Sequence, residues 1–102
     1  MLTANNETRI LVAPERLVEE SRLEFRRAAL EHLERAVRAG ATRVIVDMQH
    51  TKDIDASGLG VLVLLQKRAR DLMIATKLLH APVGAKRMLE LTNLAYLFEI
   101  EG

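Results

Sequence analysis

The segment Arg43-Val44-Ile45-Val46-Asp47-Met48 limits the possible folds most, because it is a nearly continuous run of β-branched and apolar residues. A strand with one wet face alternates apolar and polar side chains, and this run does not alternate. It therefore predicts a strand buried on both faces, which is typical of a parallel sheet covered by helices.

Three further short segments have the composition of strands. Residues 9–12 form a β-like run that Pro14 ends, since proline lacks the N–H that a sheet requires. Residues 73–79 predict a third strand, and residues 97–100 predict a last short one.

Three segments between these runs have helical periodicity. Ser21 followed by Glu24 predicts a capping box at the start of the first helix. Gly40 suits the left-handed position after that helix. The apolar stripe of the first helix consists of Phe25, Ala29, Leu33, Ala36 and Val37.

The second helix is predicted to begin near Ser57 or Gly58 and to end near Asp71, with a core stripe of Leu62, Leu65, Ala69 and Leu72. Pro82 fits the first turn of a third helix that ends near Asn93. The order β-α-β-α-β-α-β predicts one α/β domain over residues 1–102, with helices packed on a mixed, mainly parallel sheet.

Composition excludes several classes of protein. The 102 residues contain no cysteine, which leaves no disulfide framework. A net charge of +1 and three aromatic residues do not fit a nucleic-acid-binding surface. The apolar run 61–65 is too short to cross a bilayer, and the polar segment 1–7 has no signal-peptide pattern. We therefore expect a cytoplasmic protein without membrane insertion and without a nucleic-acid partner.

Histidine and aspartate side chains are the candidate metal or catalytic groups of this sequence. The three histidines, His32, His50 and His80, have no ligand spacing, so neither a metal site nor a cofactor is expected. Three carboxylates, Asp47, Asp53 and Asp55, could in principle hold Mg²⁺. The interpretation as solvated loop and cap residues is favoured.

The most unusual local sequence is the turn Asp55-Ala56-Ser57-Gly58-Leu59-Gly60. Asp55 and Ser57 both suit a helix N-cap, and the two glycines allow a sharp turn and close approach of another chain. Free N–H groups in the first helical turn would attract a phosphate or carboxylate from a partner. A small nucleotide-binding domain is an alternative interpretation, although no P-loop lysine follows the glycines.

This turn, extended to Leu62, resembles the signature of STAS domains, the family of bacterial anti-sigma factor antagonists. Residues 44–48 look like the strand that precedes this signature. Residues 89–94 and 97–100 look like the closing helix and final strand of the family. The resemblance covers residues 9–100.

The resemblance implies a regulatory protein-binding module that acts by partner switching, and not an enzyme. In such systems the antagonist binds an anti-sigma factor that is also a serine kinase. Phosphorylation at this turn releases the antagonist, and a phosphatase resets it. A phosphate adds about −1.5 to −2 charges, which would oppose binding through repulsion and desolvation.

Two departures from the family pattern affect this interpretation. Ala56 occupies the place of the usual acceptor hydroxyl, so either Ser57 is a shifted acceptor or phosphorylation does not occur and Ser57 caps the helix. Thr51 is a weaker alternative acceptor. Arg16-Leu17-Val18 replaces the family's Gly-Glu-Leu-Asp turn, and the edge strand before it is expected to be lost or shortened to residues 2–6. An uncovered apolar edge would favour self-association.

Two alternatives therefore stay open. Ala56 is compatible with a STAS accessory subunit of a lipid-transport or stress-sensing complex that works without phosphorylation. Leu59 is either buried on the helix or exposed as a docking anchor for the partner.

Overall fold

The computed structural model describes residues 7–102, and strands and helices alternate along it. The strands are β1 (Thr8–Val12), β2 (Arg16–Leu17), β3 (Arg43–Asp47), β4 (Asp53–Ile54), β5 (Ala75–Leu79) and β6 (Glu99–Glu101). The helices are α1 (Arg22–Arg38), α2 (Ala56–Asp71) and α3 (Val83–Leu91), with 3-10 turns at Glu19–Ser21 and Ala95–Leu97. The edge strand expected at residues 2–6 lies outside the described part of the chain.

The main sheet has the strand order β1-β3-β5-β6, and every pair of neighbours is parallel. Strands β2 and β4 form a separate parallel pair beside it. The predicted α/β fold is thus confirmed. Because the chain crosses the main sheet in one direction, right-handed crossovers place all three helices on the same face.

The two faces of the sheet differ in burial for this reason. Val44, Val46 and Leu78 point toward the helices and are almost completely buried. Ile45 is only partly buried, and Ile10, its partner in register on β1, is 56% exposed. The prediction that the β3 run is buried on both faces is therefore wrong, because no described helix covers the second face.

The start of α1 also differs from the prediction. The Ser21 hydroxyl donates to the Arg16 carbonyl oxygen at 2.6 Å and accepts from the Val18 N–H at 3.2 Å. It makes no cap bond to α1, because the 3-10 turn before the helix already engages it. The predicted capping box with Glu24 is wrong.

The helix ends share one geometry. Gly40 has a φ of +73° after α1, as predicted. Met73 has a φ of +61° after α2, and its N–H donates to the Arg70 carbonyl at 3.0 Å. Met73 therefore closes a helix and does not begin a strand. Asn93, with a φ of +58°, closes α3, which ends at Leu91.

Smaller shifts occur at the remaining boundaries. Pro82 is the residue before the first turn of α3, and the last strand begins at Glu99 because a 3-10 turn occupies 95–97. Two residues of the predicted core stripes, Val37 and Leu72, are 44% and 49% exposed. Both lie near the ends of their helices, where the packed interface opens.

Candidate functional site

Asp55 determines where α2 begins. Its backbone is extended, and its carboxylate Oδ1 accepts a hydrogen bond from the Gly58 N–H at 3.0 Å. The helix therefore begins at Ala56, slightly earlier than predicted. Asp55 is the N-cap, and the prediction that Ser57 serves as the cap is wrong.

The same carboxylate joins α2 to a distant part of the chain. Oδ2 of Asp55 accepts from the Glu19 N–H at 3.0 Å, and the Asp55 N–H donates to the Leu17 carbonyl at 3.2 Å. The hydrogen bond from Gly58 is the main reason that the pKa of Asp55 lies below its ordinary value, and the bond from Glu19 lowers it further. While the Asp55 carboxylate is charged, its hydrogen bonds therefore hold the turn to both α2 and the 3-10 turn at Glu19.

These bonds affect which N–H groups at the start of α2 are available to a partner. The Gly58 N–H is directed at the chain's own carboxylate, and the Leu59 N–H donates to the Asp55 carbonyl at 3.0 Å. One of the N–H groups predicted to attract a partner's phosphate or carboxylate, that of Gly58, is therefore already bonded to Asp55. The Asp55 carboxylate also places a negative charge at this helix N-terminus, which disfavours a second anion there.

Only part of the predicted binding turn faces solvent. Ala56 and Gly60 are exposed, and Ser57 is half-buried. Gly58 is buried, and Leu59 is 4% exposed within the core. Of the two interpretations of Leu59, burial is right, because it lies three residues before the fully buried Leu62 on the same helical face.

Ser57 lies beside basic side chains. It lines a groove of about 340 Å³ together with Gly60 and Val61 from α2 and with Arg22 and Arg26 from α1. Neither arginine forms an ion pair within the described part of the chain. Thr51, the other candidate acceptor, is 6% exposed and its hydroxyl donates to the Pro14 carbonyl at 2.8 Å. Burial therefore removes Thr51 as an accessible hydroxyl.

Sequence reasoning missed one polar pair near this edge of the sheet. Asp47 Oδ1 lies 2.9 Å from His80 Nδ1, and the carboxylate also accepts from the Gln49 N–H at 3.0 Å. The hydrogen bond with His80 is the main cause that lowers the pKa of Asp47. The signal was available in the topology: β3 and β5 are parallel neighbours, so Asp47 and the residue after Leu79 end on the same edge.

The three carboxylates considered as a Mg²⁺ cluster have separate partners. Asp47 pairs with His80, Asp55 caps α2, and Asp53 lies 3.6 Å from Arg16. Within residues 7–102, no group of three or more acidic or histidine side chains is arranged to hold a metal ion. No helix in this range combines the length and apolarity needed to cross a bilayer.

Comparisons with known proteins agree with this fold. The family model described as the STAS domain matches residues 6–101. TM1081, a proposed anti-sigma factor antagonist from Thermotoga maritima, superposes with a TM-score of 0.80 at 22% identity, covering 94% of this chain and 80% of that one. A comparison with curated protein sequences found no match.

The Bacillus cell-fate determinant SpoIIAA is also similar, at 16% identity. Its unphosphorylated form, an anti-sigma factor antagonist, has a TM-score of 0.72 and covers 98% of this chain and 83% of its own. Its phosphorylated form has a TM-score of 0.69, with 98% and 86% covered. At these identities the likeness establishes a shared fold.

Proposed function

This chain belongs to the STAS domain family, and from that premise we propose that it is an anti-sigma factor antagonist acting in the cytoplasm. It is a regulatory binding module and not an enzyme. Its partner is an anti-sigma factor with serine kinase activity, and binding releases the sigma factor. The observation that carries the proposal is the pair of hydrogen bonds to the Asp55 carboxylate, which joins α2 to the 3-10 turn at Glu19.

The docking turn, residues 55–60, would contact the partner through its exposed part. Ala56 and Ser57 have small side chains and Gly60 has none, so another backbone can come close. Because the cap bonds already hold the turn, little conformational entropy is lost when a partner binds. The likeness to TM1081 and SpoIIAA supports this role.

Binding can be tested with a purified anti-sigma factor that has serine kinase activity. A Cβ added at Gly60 meets no atom within 4 Å, so the side chain of Gly60→Phe starts in open space at the docking surface. The same space is open at Gly84 on α3, which makes Gly84→Phe a matched control. Gly60→Phe should weaken binding at least tenfold, and Gly84→Phe should leave it within twofold. Failure of the kinase to bind the unmodified wild type would contradict the proposal.

A second candidate function is favoured by Ala56. A STAS accessory subunit of a lipid-transport or stress-sensing complex needs no acceptor hydroxyl at this position. Incubation with the kinase and ATP separates the two candidates. Addition of one phosphate, detected by mass and lost in Ser57→Ala, supports the phosphorylated switch and a role for a phosphatase. Binding without any phosphate addition supports the accessory subunit.

A further inference from the structure

A groove lies on the exposed surface of α1 and along its seam with α2. Three adjoining hollows form it, the largest of about 530 Å³. We call it the α1–α2 groove and define it by Leu23, Leu30 and Val37 of α1 and by Leu64 and Leu72 near α2.

The apolar side chains that line the groove are far more exposed to solvent than residues of the hydrophobic core. Leu23 is 67% exposed, and Val37 and Leu72 are 44% and 49% exposed. These side chains follow one seam and are not scattered over the surface. An aligned apolar surface of this kind is typical of a site that is covered by another protein.

The rim of the groove is basic. Five arginines and two glutamates line the three hollows. Arg38 pairs with Glu34 at 3.5 Å, whereas Arg22, Arg26 and Arg68 form no ion pair within the described residues. A partner that covers the leucines therefore gains most if acidic side chains flank its own apolar stripe.

We propose that the α1–α2 groove binds an amphipathic helix with an acidic flank, supplied by a partner protein. Fourteen residues separate Leu23 from Val37, so the groove spans about 21 Å and accommodates about four helical turns. Leu23, Leu30 and Val37 follow the axis of α1, a linear arrangement that an amphipathic helix can cover along its length. One end of the groove shares Ser57 and Gly60 with the docking turn, but the inference extends beyond that turn and does not depend on an anti-sigma factor binding there.

The test uses the full chain and a designed peptide of about 16 residues, with leucine at helical spacing and glutamate on both flanks. Amide NMR shifts should follow both helices from Leu23 to Leu72, and binding should weaken as salt rises because the charges are exposed. A peptide with lysine in place of glutamate is the charge control. Absence of shifts at millimolar peptide, or equal binding of the lysine peptide, overturns the proposal.

Substitutions separate the groove from the rest of the basic surface. Arg68→Glu should weaken peptide binding about fivefold, since it replaces an attraction with a repulsion. Arg70→Glu is a matched control, because Arg70 lies in the same last turn of α2 outside the groove. Leu72→Glu should weaken binding about tenfold. Equal effects of Arg68→Glu and Arg70→Glu contradict the proposal.

Two further measurements identify a different occupant. If a second copy covers the groove, sedimentation of the free protein will show a dimer, and Leu72→Glu will dissociate it. If a membrane covers the groove, the protein will float with vesicles of phosphatidylglycerol, and Arg68→Glu will remove this binding. Either result overturns the proposal. Binding of the kinase to Arg68→Glu through the docking turn tests the proposed function separately.

Discussion

Gly58 on α2 lies directly against the backbone of Leu17 on β2. A Cβ built on Gly58 would overlap the Leu17 carbonyl group, whose oxygen also accepts a hydrogen bond from the Asp55 N–H at 3.2 Å. The second strand pair and α2 can approach this closely only because residue 58 has no side chain. The glycine in the docking turn is therefore required by packing within the domain, whatever the turn binds.

Gly58→Ala should destabilise the protein by about 2–3 kcal/mol, because the backbone of β2 or the start of α2 must shift to make room. Gly60→Ala should change stability by about 1 kcal/mol or less, and in the favourable direction, since its Cβ enters open space inside a helix. Urea unfolding of the two variants measures the difference. Similar stabilities for both would show that the contact with Leu17 is not restrictive.

Asp55→Asn should lower the urea midpoint at pH 7. The asparagine oxygen can still accept from Gly58, but its amide nitrogen cannot accept from the Glu19 N–H. The pKa of Asp55 is lowered in the folded state, so its stabilisation is present above about pH 4 and is lost as pH falls through the folded-state value. The gap between wild type and variant should therefore narrow as the pH falls below about 4.

Asp53→Asn is the control for this change, because its ion pair with Arg16 is long and exposed on both sides. Such pairs contribute at most about 1 kcal/mol. A loss at pH 7 as large as that of Asp55→Asn would contradict the assigned role of the cap.

His32 on α1 should make the protein sensitive to mild acid. It is 8% exposed, and its Nε2 has no hydrogen-bond partner among residues 7–102. Burial lowers its pKa, and the charges of Arg35 and Arg9 lower it further. Because the unfolded chain binds the proton more readily, stability should fall as pH drops below about 6.5 toward the folded-state value.

His32→Leu should remove this slope between pH 5 and 6.5 and should raise stability at pH 5. His32→Gln should also remove the slope, since it does not titrate, but it should not raise stability at pH 7, because a buried polar group stays. Urea midpoints across this pH range provide the measurement. An unchanged slope in both variants would place the acid sensitivity elsewhere.

Met73→Gly should stabilise the protein by about 1 kcal/mol, because only glycine adopts a φ of +61° without a steric cost. The side chain is 88% exposed, so little packing is lost. Met73→Ala keeps the left-handed strain and should show no gain. Thermal unfolding of the two variants at one pH compares them, and equal midpoints would contradict the explanation.

The order and type of the main strands and helices were largely predictable because apolar periodicity reports local backbone geometry. Helix ends were less so: glycine signalled the end of α1, whereas Met73 gave no such signal at the end of α2. The left-handed conformation of Met73 is stabilised by the backbone bonds that Met73 and Ile74 donate to the last turn of the helix.

The amino-acid sequence by itself determined the alternation of strands and helices, the STAS family and the position of the turn at Asp55. Tertiary structure alone decided that the Glu19 N–H meets Asp55, that His80 meets Asp47, and that the seam between α1 and α2 stays open. The reason is distance along the chain. Glu19 and Asp55 are 36 residues apart, and Asp47 and His80 are 33 apart. Local periodicity indicates which side of an element is buried, whereas strand register and helix placement decide which polar groups meet.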